Sequence, residues 1–267
     1  MTSTAIIQTM IEAAEKGGGV LLRYFGNILE VEEKSTPADY RTKADVESEA
    51  AILGVLERSF PSYNVHSEER GKSDRQSDYT FLIDPLDGTN NYVLGLPIFS
   101  VHIALLKGTE TQLAVVHQPL LKLTYVAERG RGVTLNGVRL RVSRQADIAR
   151  ATISYTCTYT TDKKHKLAVE EALGWLPIRR MLRTWTPGAD YGFLASGRIE
   201  AVVNDGNEVY DFIPGKLMAR EAGALVTDFS GEPDTDDANP FFIASNGTAI
   251  HERLVEVMSR VARSETT

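Results

Sequence analysis

Two aspartates, Asp84 and Asp87, stand close together in FLIDPLDGTNNY, after an apolar run and directly before Gly88-Thr89. Pro85 interrupts strand pairing, so the chain can turn and let both carboxylates converge. A Gly-Thr pair opening a helix would expose backbone N–H groups to an anion, and glycine lets a phosphate approach closely. Two carboxylates beside an anion site need cations, and hard oxygen ligands with phosphate are the usual surroundings of Mg²⁺. The same residues would also suit an Asx-type turn capping a helix. Glu68 and Glu69 lie upstream in HSEER, and Asp211 lies far downstream in NEVYD, at the start of the helical pattern FIPGKLMAREAG. Alone, the first pair reads as a solvated turn and Asp211 as an N-cap. Only the combination argues for a metal.

The elements that must position these groups follow from periodicity. Ala5, Ile6, Met10, Ala13, Gly17, Val20, Leu21 and Tyr24 recur at helical spacing, and a second amphipathic helix covers Asp45 to Phe60, ended by Pro61. The polar stretch EEKSTPADYRTKAD between them reads as a loop or loose hairpin. From Thr80 the signals become strands: TFLID, IFSVHIALLKG, TQLAVVHQPLL, LTYVAERG and GVTLNGVRLRVS, with Asn136-Gly137 as a hairpin turn. Beyond these, strands ATISYT, IEAVVN, ALVTDF and FFIASN alternate with helical patterns at DKKHKLAVEEALGWL, GADYGFLASGR, FIPGKLMAREAG and HERLVEVMSRVARSE. Antiparallel strands first and α/β alternation later predict sheets layered between helices. A single domain, 1–267, of two lobes is expected, with an α+β lobe at about 1–145 and an α/β lobe at about 146–267.

Composition bounds the partners. The 267-residue chain carries a net charge of -7, which argues against a broad nucleic-acid surface. No apolar run approaches the roughly 20 residues that span a bilayer, and the N-terminal segment lacks a signal-peptide pattern. Cys157 is the one cysteine. A cytoplasmic globular protein is expected.

DPLDGTNNYVLGLP resembles the first signature of the inositol monophosphatase family, and YDFIPGKLMAREAGALVTDFSG resembles the second. Ser67-Glu68-Glu69 matches the family's (Gly/Ser)-Glu-Glu, and Lys34 to Asp45 matches its Lys-x-x-Pro-x-Asp-x-x-Thr-x-x-Asp segment. The likeness covers nearly the whole chain in order. It implies a layered αβαβα sandwich of the inositol monophosphatase/fructose-1,6-bisphosphatase type, a homodimer, and lithium-sensitive Mg²⁺-dependent hydrolysis of a small phosphorylated alcohol. Residue by residue, it implies that Glu68, Asp84 and the Leu86 carbonyl hold one Mg²⁺, and that Asp84, Asp87 and Asp211 hold a second. A third ion would reach Glu68 through water. Gly88 and Thr89 would meet the phosphate, and Asp45, through Thr89, would join Glu68 in activating the attacking water. Lys34 would sit on a loop over the site, near the phosphate or third metal, or simply in solvent.

The substrate side departs from the family pattern. Trp185, Thr186 and Pro187 stand where Gly-Ser-Ala usually meets the inositol ring, and Asn204 stands where a polyol-binding Glu is usual. Tyr210 replaces the Trp before Asp211, and Pro214 replaces an Ala in what reads as the first turn of a helix. Trp185 would either reshape the alcohol pocket or pack in the core, and Asn204 would trade a charge for an amide. Inositol monophosphate, histidinol phosphate, 3′-phosphoadenosine 5′-phosphate and fructose 1,6-bisphosphate remain candidate substrates. A non-catalytic partnership with transcription or ribosome-maturation machinery is the other class. Neither GxxxxGK[ST] nor GxGxxG is present. DTDD at 234–237 reads as a solvated turn, and KKHK at 163–166 could meet an anionic substrate or a partner, with a solvated face as the default. The five histidines show no zinc-like spacing.

Overall fold

The computed structural model describes residues 2–27, 31–34, 36, 37 and 39–264. Ser35 and Ala38 of the polar segment, and Glu265 at the end of the last helical pattern, lie outside the described residues. Among the described residues seven α-helices follow in order: α1 Ser3–Tyr24, α2 Lys43–Ser59, α3 Thr89–Leu94, α4 Lys163–Gly174, α5 Pro187–Ala195, α6 Val209–Glu221 and α7 Ala249–Ser264.

Eight strands form one sheet in the spatial order Val138–Arg139, Gly132–Leu135, Leu123–Glu128, Glu110–Gln118, Ser100–Lys107, Tyr79–Asp87, Asn64–Ser67, Gly71–Ser73. A second sheet orders Arg180–Leu182, Thr152–Cys157, Ala201–Asp205, Phe241–Ser245 and Leu225–Thr227. A short ribbon pairs Val31–Glu33 with Tyr40–Thr42.

Strand alternation explains the layering. Phe81, Ile83, Val101 and Ile103 point to one face of the large sheet and pack with Met10, Leu21, Ile52 and Leu56 of α1 and α2. Leu82, Ala104 and Val116 point to the other, against Tyr191 and Leu194 of α5 and Phe212, Leu217 and Met218 of α6. Val202, Phe242 and Ala244 close that middle layer from the small sheet. Ile153, Val203 and Ile243 face outward to Val169 and Leu173 of α4 and Ile250 and Leu254 of α7. Period-2 strands buried on both faces thus give five layers, α1/α2, sheet, α5/α6, sheet, α4/α7. This is the αβαβα sandwich expected from the sequence.

Two local expectations are corrected. α6 begins at Val209, so Pro214 lies inside the helix and not in its first turn. The acidic run at 234–237 is not simply a solvated turn. Asp237 is buried, Asp234 is half-buried with its carboxylate covered, and the two pair with Lys216, Arg220 and Arg129. A short edge strand, Arg180–Leu182, and the strand Gly71–Ser73 carry too few residues for a periodic signal.

Candidate metal centre and active site

Residues three apart on a regular strand point to opposite faces. Asp84 pairs with His102 and Asp87 with Ser100, so the Tyr79–Asp87 strand holds one residue more than its neighbour over this span. That bulge puts both aspartates on the face that looks toward α5 and α6. The Ser48 hydroxyl pins it by donating to the Pro85 carbonyl at 2.9 Å, and the Leu86 N–H donates to Asp84 Oδ1 at 2.9 Å. Asp211 arrives from α6, where its carboxylate also accepts the Glu208 N–H at 3.2 Å. Its capping role and its place in the cluster are therefore compatible. Asp84, Asp87 and Asp211 each bring a carboxylate oxygen within 4.8 Å of the others.

Such crowding is costly for three charges. Loss of water, then the neighbouring carboxylates Glu68, Asp87 and Asp211, push the Asp84 pKa well above the ordinary range. Burial, then Asp87 and Glu68, push Asp211 up likewise. Burial raises Glu68 to about 7, against the opposing pull of Lys34. A set of hard oxygen donors that repel one another is the donor chemistry of a divalent cation, and the residues present fit Mg²⁺.

Glu68 faces Lys34, whose ammonium bridges Glu68 Oε1 at 2.7 Å and Glu69 Oε1 at 2.6 Å. Burial works against the charge on Lys34, but the two glutamates outweigh it and hold its pKa above the ordinary value. Asp45 is capped into α2: its Oδ2 accepts the Thr42 N–H at 2.8 Å and hydroxyl at 2.6 Å. Its Oδ1 lies 3.3 Å from Thr89 Oγ1, which is also 3.0 Å from the Leu86 carbonyl. Burial, offset in part by Thr42, raises Asp45 to about 6. Gly88 has φ +88, and a Cβ there would stand 2.3 Å from Thr186 Oγ1.

A cavity of about 850 Å³ is lined by Lys34, Glu68, Asp84, Leu86, Asp87, Gly88, Thr89, Trp185 and Asp211, among others, with Asp45 buried behind Thr89. Trp185 is 58% exposed at its wall, not in the core, and adopts φ +57. Left-handed backbone is what the glycine of the family pattern would supply. Asn204 is a correction. It is fully buried behind the cavity, accepting from Tyr191 Oη at 3.1 Å and Asn207 Nδ2 at 2.9 Å, and donating to the Pro240 carbonyl at 2.7 Å. Its amide is spent on the protein, and it does not line the cavity. Lys166, within the KKHK run whose default reading was a solvated face, lies in the cavity wall. Sequence reasoning passed over Arg183 in the same wall, and Ser100 and His102 beneath Asp87. The last two had a signal: polar residues at alternate positions of an otherwise apolar strand.

A layered sandwich that gathers carboxylates from a strand bulge and a helix beside a Gly-Thr turn defines a phosphatase-type centre. The chain belongs to the inositol monophosphatase family, whose profile matches residues 3–263, and thus to the hydrolases of phosphoric monoesters. It is 34% identical to the fructose-1,6-bisphosphatase/inositol-1-monophosphatase of Thermotoga maritima over 254 residues, 94% of each chain. It is 31% identical to the Nus factor SuhB of Escherichia coli K12 over 265 residues, 97% of this chain and 96% of that one. Among solved structures, the extragenic suppressor protein suhB of Bartonella henselae superposes with a TM-score of 0.88 at 30% identity, covering 96% of this chain and 99% of that one.

Proposed function

We propose that the chain is a Mg²⁺-dependent phosphomonoesterase that splits a small phosphorylated alcohol by attack of water. The observation that carries this reading is the convergence of Asp84, Asp87 and Asp211 next to Gly88 and the Thr89–Asp45 pair. Glu68, Asp84 and the Leu86 carbonyl would hold one ion, and Asp84, Asp87 and Asp211 another. When bound, the cations neutralise phosphate charge, acidify water and stabilise the departing alkoxide. Gly88 and Thr89 supply backbone N–H groups to the phosphate. Thr89 can hand its hydroxyl proton to Asp45 while its oxygen accepts one from the attacking water, so Asp45 is the terminal base of a short relay. Trp185, at the wall, meets the leaving alcohol. Phosphate release from a panel of phosphomonoesters, with Mg²⁺ against EDTA, tests the reading, and equal rates under both conditions would overturn it.

A second anionic group on the substrate is favoured by Lys166 and Arg183 in the same wall. Arg183 is stacked over Tyr155 at 4.9 Å and paired with Glu170, which fixes its guanidinium. A sugar bisphosphate would use these cations, in line with the name of the Thermotoga relative. A higher kcat/KM for fructose 1,6-bisphosphate than for inositol monophosphate would decide for it. Lithium inhibition, a homodimer and a cytoplasmic location belong to the same proposal, supported by the family resemblance. Among the described residues no helix is long and apolar enough to cross a membrane. The names of the SuhB relatives support a protein-partner role as the other reading. A folded, cation-binding protein that hydrolyses none of the panel would favour it.

A further inference from the structure

Beneath Asp87 lies a buried imidazole with contacts on both sides. His102 is fully buried on the Ser100–Lys107 strand, and its Nε2 lies 3.0 Å from Asp87 Oδ2. Ser100 Oγ donates to the same oxygen at 2.8 Å and lies 3.0 Å from Nε2. The Gly188 N–H, from the start of α5, donates to it at 2.9 Å. All three contacts fall on Oδ2, so Oδ1 is the oxygen left to a cation. On its other side, His102 Nδ1 lies 3.2 Å from the carbonyl of Tyr210, the residue before Asp211.

That carbonyl is accessible for a specific reason. In an α-helix, the oxygen of residue 210 would accept the N–H of residue 214, and proline has none. Pro214 therefore frees the acceptor that His102 uses. Space is made by Gly188, where a Cβ would stand 2.1 Å from Nε2 and 2.8 Å from Ser100 Oγ.

We propose that His102 is a positioning residue that sets the distance between Asp87 on the strand bulge and Asp211 on α6, and so tunes the cation affinity of the pair. Residues that orient a ligand from behind are worth about 10–100-fold in metal affinity. The proposal rests on the metal-dependent reading above.

The test is Mn²⁺ binding, measured by calorimetry or by the EPR signal of free Mn²⁺, on the full chain. His102→Ala should weaken binding by about 10–100-fold. Pro214→Ala restores an N–H that competes for the Tyr210 carbonyl. It should raise the denaturation midpoint of the cation-free protein and yet weaken Mn²⁺ binding severalfold. A purely structural role would not move stability and affinity in opposite directions. Folded His102→Ala that binds Mn²⁺ within about twofold of the wild type would overturn the proposal. If His102→Ala does not fold, Pro214→Ala decides, and unchanged affinity there overturns it. Wild-type protein that binds no Mn²⁺ and hydrolyses no phosphomonoester refutes the metal-dependent reading instead, so the two failures are distinguishable.

Discussion

Gly88 carries two constraints at once. Its φ of +88 disfavours any side chain, and the space a Cβ would take is held by Thr186 Oγ1. That hydroxyl is fixed in turn by the Ile98 carbonyl at 3.0 Å and the Asn91 amide at 2.8 Å. Gly88→Ala is therefore expected to cost about 1–3 kcal/mol of stability, read from urea unfolding, and to lower phosphate release more than the stability loss explains. Asp87→Asn isolates the chemistry from the fold. It keeps the shape and an acceptor while removing one charge from a crowded cluster. Since partners behind a ligand already cost about 10–100-fold, loss of the ligand charge should lower Mg²⁺-dependent turnover by more than about a hundredfold. Near-normal turnover in a steady-state assay would remove Asp87 from the site.

At the scale of elements, the entry to α5 shows a conflict between backbone and side chain. Trp185 holds φ +57 with most of its ring in solvent, so it gains little from packing. Trp185→Gly should thus raise stability by about 1 kcal/mol and raise KM for any substrate whose alcohol rests on the ring. Calorimetry and steady-state kinetics on one variant check both. The same elements show what was legible. α1 and α2 were readable because apolar residues recur at helical spacing, and the strands because of their length and turn residues. The strand bulge was not, since one extra residue in a strand leaves no compositional trace. Asn204 was misread because linear register placed it at a substrate position. Strand parity would have sent it, with Val202, toward the middle helices, where it meets Tyr191. Lys34, on the ribbon side of the site, came from motif spacing alone, and its contact with Glu68 and Glu69 needed three dimensions.

At the scale of the molecule, several acids hold protons longer than usual without a cation. Asp45 stands at about 6, Glu68 at about 7 and Asp190 at about 7, each chiefly through burial. Unfolded carboxylates release their protons near pH 4. The folded metal-free state therefore binds more protons between about pH 4 and 7, and its stability falls as pH rises through that window. Mg²⁺ should restore that stability at about pH 8 and do little at about pH 5, as followed by thermal unfolding with and without the ion. The buried ion network behind α6 is a separate determinant. Lys216 Nζ lies 2.8 Å from Asp234 and over the Phe242 ring at 4.2 Å, and it donates to the Asp236 and Asn239 carbonyls. Lys216→Ala removes these bonds while Asp234 keeps Arg220, and it should cost about 1–3 kcal/mol, measured by urea denaturation.

The acidic ring draws Asp84 and Asp87 from one strand bulge and Asp211 from a helix about 120 residues later. On a translating ribosome, at about 5–20 residues per second, the first two carboxylates emerge roughly 6–25 s before the third. During that interval the nascent chain has two repelling acids and no α5 or α6 to cover the bulge. Under the metal-dependent proposal, cation capture would be a late event in biosynthesis, available only once the middle helical layer has been made. Any truncation between Thr89 and Asp211 gives a polypeptide that carries the recognisable DPLDGT motif and lacks the completed ring.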